Sequence, residues 1–234
     1  ALLSYPFVFE PLLALKTQAA LWAALYILFV PACGWCAVSF LRSPPAAAGA
    51  PGPAAAEKTP GPGWRSRSLW FVLSACGSGL LLATTNQLTL NVSVVPFMWI
   101  LPFSLYLLSF ILCFDGERFY TRRTWLVFLA CACAGVCYLL YSDISVPALL
   151  QIAICSLTLF IACMVCHGEL AGHKPRPEYL TGFYVLVSAG GAFGGALVAV
   201  AAPLVFRGPW EYPLFWLLVP SIMLALALRE GKTA

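Results

Sequence analysis

The chain has 234 residues, of which 62% are hydrophobic and only 9% charged, with a net charge of +4 and a mean hydropathy of +0.89. A soluble domain carries roughly a quarter charged residues, so too few charges are present to cover a water-facing surface, and most of the surface must face lipid. That excludes a water-soluble globular domain, and the small positive charge is no nucleic-acid signal; what matters is how the charges are sorted between the apolar segments.

The opening "ALLSYPFVFEP" has no initiator Met, no charged n-region and no cleavage site, so it does not read as a signal peptide. "ALLSY" reads as the tail of a preceding helix, and residues 1–17 are expected to be an outer segment of a longer protein. A membrane span needs about 20 apolar residues. Seven stretches meet or approach that length: 18–41, 69–90, 95–114, 124–141, 146–166, 180–206 and 210–228. Apart from Glu211 in a terminal turn, none holds an internal Asp, Glu, Lys or Arg. Trp70, Trp99, Tyr141, Tyr179, Trp210 and Tyr212 stand near their ends, where amphipathic rings favour the headgroup zone.

Between the first two spans, residues 42–68 are expected to form a cytoplasmic linker. Its stretch "SPPAAAGAPGPAAAEKTPGPG" holds six prolines and no large apolar side chain, too little buried surface to offset the entropy of ordering. With seven crossings, eleven of the 13 basic residues fall on one side and only Lys16 and Arg207 on the other. Lysine and arginine are retained on the cytoplasmic face. The expected fold is therefore an all-α polytopic transmembrane helix bundle of about seven spans, with the N-terminus outside and the tail 229–234 cytoplasmic.

Most of the ten cysteines lie in apolar segments, where a free Cys behaves as a small hydrophobe. "CGWC" (33–36) and "CACAGVC" (131–137) imitate metal or redox spacing but lack further Cys or His on a neighbouring polar loop, so no metal site is expected. "CMVCH" (163–167) spells the c-type haem attachment pattern. It lies beside His173, Lys174 and Arg176 on the predicted cytoplasmic side, whereas haem attachment belongs to the outer, oxidising compartment; no cofactor is expected.

In the sixth span, "SAGGAFGGA" fails the G-x-G-x-x-G order and follows no strand. Its Gly190/Gly194 and Gly191/Gly195 form two overlapping GxxxG pairs, which let helix backbones approach closely. The second span repeats the idea weakly with Ser74, Gly77, Ser78 and Gly79. Intramembrane polar groups are sparse: Asn86, Gln87 and Gln151 fall near the outer ends of spans two and five, where they could line a small cavity or bond between helices. The loop 167–179 is the densest polar stretch, with His167, Glu169, His173, Lys174 and Arg176, and Pro175 and Pro177 hold it extended. Two readings of it stand, a solvated positive-inside loop, and a surface that docks a cytoplasmic domain or carries a site.

"CHGELAGHKPRPEYLTGFYVLVSAGGAFGGALVAVAAPLVF", "LSYPFVFEPLLALKTQ" and "TTNQLTLNVSVVPFMWILPFSLYLLSFIL" resemble the membrane region of bacterial fused (major-facilitator-type) spermidine synthase-like proteins. The resemblance covers nearly the whole chain. It implies a multi-helix module of the bacterial inner membrane, with the lipid bilayer and a cytoplasmic aminopropyltransferase-like domain or subunit as partners. After residue 228 only "REGKTA" remains, so none of that domain's machinery lies here and no catalytic residue carries over. The expected role is membrane anchor and helical module; the alternative is part of a carrier for polyamines or another small solute.

Overall fold

The computed structural model describes residues 4–5, 9–42, 61–92, 98–142 and 146–230. Among them every regular element is helical: α1 (Leu15–Arg42), α2 (Trp64–Val92), α3 (Ile100–Asp115), α4 (Arg122–Ser142), α5 (Ala148–Gly172), α6 (Leu180–Ala196) and α7 (Glu211–Glu230). A wide π turn, Leu197–Ala201, and a last turn, Ala202–Val205, prolong α6. Pro203 has no N–H to give the carbonyl one turn back, and the helix widens there. Helices are the expected solution in lipid, because each backbone donor and acceptor finds its partner within its own segment. Six of these runs are long and apolar enough to cross a bilayer; Ile100–Asp115, with 16 residues, is shorter.

Residues 1–60 and 61–234 form two compact units. In the first, Gln18 is buried at the start of α1 and fastens the chain before it. Its Nε2 donates to the carbonyls of Leu13 (2.8 Å) and Phe9 (3.3 Å), and Tyr5 Oη donates to its Oε1 (3.1 Å).

In the second unit α2 and α5 are the hub: α2 lies against α3, α5, α6 and α7, and α5 against α2, α3 and α4. The closest seam is between α2 and α6. A Cβ at Gly190 would fall on the carbonyl of Phe71, and one at Gly194 on that of Ala75. Only residues without a side chain let two backbones meet this way. Beside them Ser74 Oγ donates to the Val187 carbonyl across the seam. Gly191 and Gly195 are different: a Cβ there would reach Ser74 Oγ and Leu82 Cδ1 at ordinary contact distance, 3.5 Å in each case. The two glycine pairs that the sequence leaves equal thus divide, one on the neighbouring backbone and one with room to spare.

Several helix ends differ from the sequence expectation. The second span was expected from 69, after a linker to 68, but α2 begins at Trp64 and carries Arg65 and Arg67 in its first turns. Hydropathy marks only the stretch that wants hydrocarbon, and a helix continues past it until its backbone has a better partner in water. The loop expected over 167–179 shrinks for a stronger reason: α5 runs on to Gly172, taking His167 and Glu169 into the helix, where both are buried. His173 to Arg176 and the single 3-10 turn Pro177–Tyr179 complete the connection. The remaining helices begin and end near the expected bounds, except that α3 is described only from Ile100. Residues 43–60 of the linker, 93–97, 143–145 and the tail 231–234 lie outside the described residues.

Candidate functional site

At the C-terminal end of α5 a pocket of about 490 Å³ opens between the α3–α4 connection and residues 168–174. Glu169 lines it, 4% exposed. An ionised carboxylate that far from water needs partners, and α4 and the turn before it supply them. Tyr120 Oη donates to Glu169 Oε1 (2.8 Å), and Arg122 Nε lies 3.1 Å from the same oxygen. Gly168 makes this possible, because the Tyr120 ring lies where any Cβ would be. Burial, and after it the charge and hydrogen bond of Glu169, push the Tyr120 phenol well above its usual range, with Arg122 pulling the other way; it stays a donor.

The other carboxylate oxygen is open. Among the described residues Glu169 Oε2 has no hydrogen-bond partner, and His173 Nδ1 is 4.0 Å away. That nitrogen is engaged with the Glu169 carbonyl at 2.7 Å. A carbonyl only accepts, so Nδ1 carries the proton. The carbonyl of His173 in turn accepts from Trp70 Nε1 of α2 (3.1 Å), and Lys174 lines the pocket from its exposed side. The result ties the start of α2, the entry to α4 and the exit of α5 to one end of the bundle.

One turn deeper in α5, His167 is buried beside Gly77, where a Cβ would come within 3.3 Å of its Nε2. Tyr106 and Phe110 stand edge-on to its ring at 4.9 and 5.2 Å. Ser109 Oγ is 2.9 Å from His167 Nδ1, a pair that superficially resembles a nucleophile and its base. The direction of the bonds says otherwise. Ser109 Oγ gives its proton to the Tyr106 carbonyl (2.7 Å), so His167 donates and the hydroxyl accepts. A serine nucleophile would have to donate to its base. This pair is a buried crosslink between α3 and α5. Cys163 and Cys166 of the "CMVCH" run are buried in the same layer, and among the described residues no three His, Cys, Asp or Glu are placed to hold a metal ion.

At the opposite end of α5 a second pocket, about 500 Å³, is lined by Gln87, Gln151, Cys155 and Tyr212 among others. Gln151 Nε2 donates to the Val146 carbonyl (3.0 Å). The structure therefore brings two of the three membrane amides to one cavity; Asn86, half-buried, does not line it.

Of the loop residues singled out in the sequence, Glu169, His173 and Lys174 share the charged pocket, His167 lies below it in the core, and Arg176 precedes the Pro177–Tyr179 turn. Tyr120 and Arg122, the partners of Glu169, were not singled out. They lie 49 and 47 positions away in the chain, and the available hint was chemical: a carboxylate inside an apolar run requires a cation, and Arg122 opens the next apolar run.

The fold and composition are those of a multi-pass α-helical membrane protein. Compared with known proteins, the chain matches no family model, no curated protein and no solved structure.

Proposed function

We propose that the chain is the membrane module of a spermidine synthase-like protein, crossing a bacterial inner membrane seven times with its N-terminus outside and its C-terminus cytoplasmic. In this reading it anchors a cytoplasmic aminopropyltransferase-like domain whose residues lie outside this chain. The observation that carries it is the network at the charged pocket. Trp70, Tyr120, Arg122, Glu169 and His173 bond together at one end of the bundle, and each stands next to one of the basic clusters that alternation assigns to the cytoplasm. Tyr212, at the start of α7, lines the opposite pocket, which supports assigning Arg229 to the charged end. The short α3 is about 24 Å long at 1.5 Å per residue, against a hydrocarbon thickness of about 30 Å, and its crossing is part of the proposal.

Single cysteines placed in the full-length protein at Arg118, Arg176 and Gly208, on a background without native thiols, test the topology. Membrane-impermeant maleimide is expected to reach Gly208→Cys from outside and the other two only after the membrane is opened. Labelling of Arg118→Cys and Arg176→Cys from opposite faces ends the reading.

A second reading, part of a carrier for a polyamine or another small solute, draws on the shared Gln87 and Gln151 pocket. Replacing Asn86, Gln87 and Gln151 by leucine separates the two. An anchor keeps the cellular activity of the full-length protein, and a carrier loses uptake of radiolabelled solute into vesicles.

A further inference from the structure

We propose that the pocket at the end of α5 is a binding site for a primary amine joined to a phosphate, the chemistry of an ethanolamine phospholipid headgroup, with the ammonium on Glu169 Oε2 and the phosphate on Lys174. This goes beyond the anchor and carrier readings and depends on neither.

Four observations lead there. The pocket's volume of about 490 Å³ has room for a headgroup. Its carboxylate is held rigidly by Tyr120 and Arg122 through Oε1, which leaves Oε2 as an open acceptor in a buried position. An ammonium N–H is the group that matches it, and a charge-assisted hydrogen bond there is among the stronger polar contacts available. Lys174 places an exposed positive charge at the rim that a lone amine would not satisfy and a phosphate would. A ligand of both signs engages both groups, which a purely cationic one would not. Finally, Trp70 of α2 donates to the carbonyl of His173 on the pocket wall, and the half-buried Trp125 of α4 donates through Nε1 to the Phe119 carbonyl at 2.9 Å, next to Tyr120. The part-exposed Trp125 ring near the start of its helix is of the kind that favours the headgroup zone. Phe114 and Cys113 give the pocket an apolar wall where glycerol and the first acyl carbons would pass.

The two sources of this chemistry, a membrane lipid and free O-phosphoethanolamine, are separable. The full chain is reconstituted in nanodiscs of a phosphatidylglycerol background containing either phosphatidylethanolamine or phosphatidylcholine, and bound lipid is counted by native mass spectrometry. Phosphatidylethanolamine is expected to be preferred over phosphatidylcholine by about tenfold, since trimethylammonium has no N–H to give Oε2 and one such hydrogen bond accounts for about that factor. Glu169→Gln is expected to abolish the preference. Lys174→Gln, at an exposed position, is expected to weaken retention of phosphatidylethanolamine several-fold while leaving the fold intact, and so provides the test if the Glu169 variant does not fold. Free O-phosphoethanolamine added to the same nanodiscs identifies the source: no displacement at millimolar concentration assigns the site to the lipid, and displacement assigns it to the soluble zwitterion. Equal retention of the two lipids by the parent chain, or unchanged retention in Lys174→Gln, overturns the proposal.

Discussion

Helices α2 and α4 invert the rule that governs water-soluble proteins. The most apolar stretch of α4 has a mean hydropathy of 1.9 and is 17% buried, while that of α2 has 1.5 and is 56% buried. The less hydrophobic helix is the inner one. In water an apolar side chain must be covered; in lipid it is already solvated, and what needs company is a small residue, a hydroxyl or a charge. The inner helix α2 has the run Ser74, Ala75, Cys76, Gly77, Ser78 and Gly79, against which α6, His167 and the Phe215 ring all pack. On α4, Val127, Phe128, Tyr138 and Leu140 remain exposed, as residues facing acyl chains can.

If that contrast is right, the cost of a substitution should follow contact with small or polar groups and not hydropathy. The largest effect is expected from Gly194→Leu or Gly190→Leu, because the new side chain meets the carbonyl of Ala75 or Phe71. Backbone does not give way as a side-chain tip does. We expect about 3 kcal/mol or more, read as loss of the folded fraction in detergent titration; an unchanged transition would mean that α2 and α6 do not meet there.

Next comes Glu169→Ala, which strips both Tyr120 and Arg122 of their shared acceptor. Breaking a fully buried pair costs about 3–5 kcal/mol. Because the Arg122 side chain is 29% exposed, water recovers part of this, and we expect about 2 kcal/mol.

Tyr120→Phe removes one hydrogen bond to that carboxylate, and we expect about 1–2 kcal/mol. Its pH signature has a fixed sign. The folded phenol titrates above its unfolded value, so its contribution is fully present below about pH 10 and is lost as the pH rises further. The parent chain should therefore lose stability above about pH 10, and Tyr120→Phe should lose less of it. Parallel alkaline unfolding curves would contradict this.

Ser109→Ala is expected to cost about 1 kcal/mol by leaving the His167 donor without its acceptor. The smallest effects complete the contrast. Gly191→Ala meets Ser74 Oγ at an ordinary 3.5 Å and regains helix propensity of up to about 1 kcal/mol. Val127→Leu on exposed α4 should be neutral. A large loss at Gly191, equal to that at Gly194, would remove the distinction between the two pairs.

How much of this could be read beforehand depends on the residue. The apolar runs behind α1, α2 and α4–α7 were legible, because a bilayer imposes a length and a polarity on each segment. Helix ends were not: α2 starts at Trp64 and α5 continues to Gly172, since polar side chains stop hydropathy without stopping the helix. Gln87 and Gln151 could be picked out as polar groups in apolar runs, but their sharing a pocket without Asn86 depends on how α2 and α5 are rotated. The Glu169 site was half visible, as a carboxylate at a span end, and half hidden, because Tyr120 and Arg122 come from another helix.

The sequence by itself determined that this is a chain of apolar helices, where the apolar stretch of each lies, and which carry small or polar side chains. Those are consequences of local composition acting against lipid. Only the tertiary structure decided which glycine pair lies on a neighbouring backbone, that His167 donates to Ser109, and that Glu169 keeps one oxygen bound and one open. Those outcomes depend on distances between segments far apart in the chain, and side-chain directions around a helix change by about 100° per residue, so a single position separates a clash with backbone from an ordinary side-chain contact.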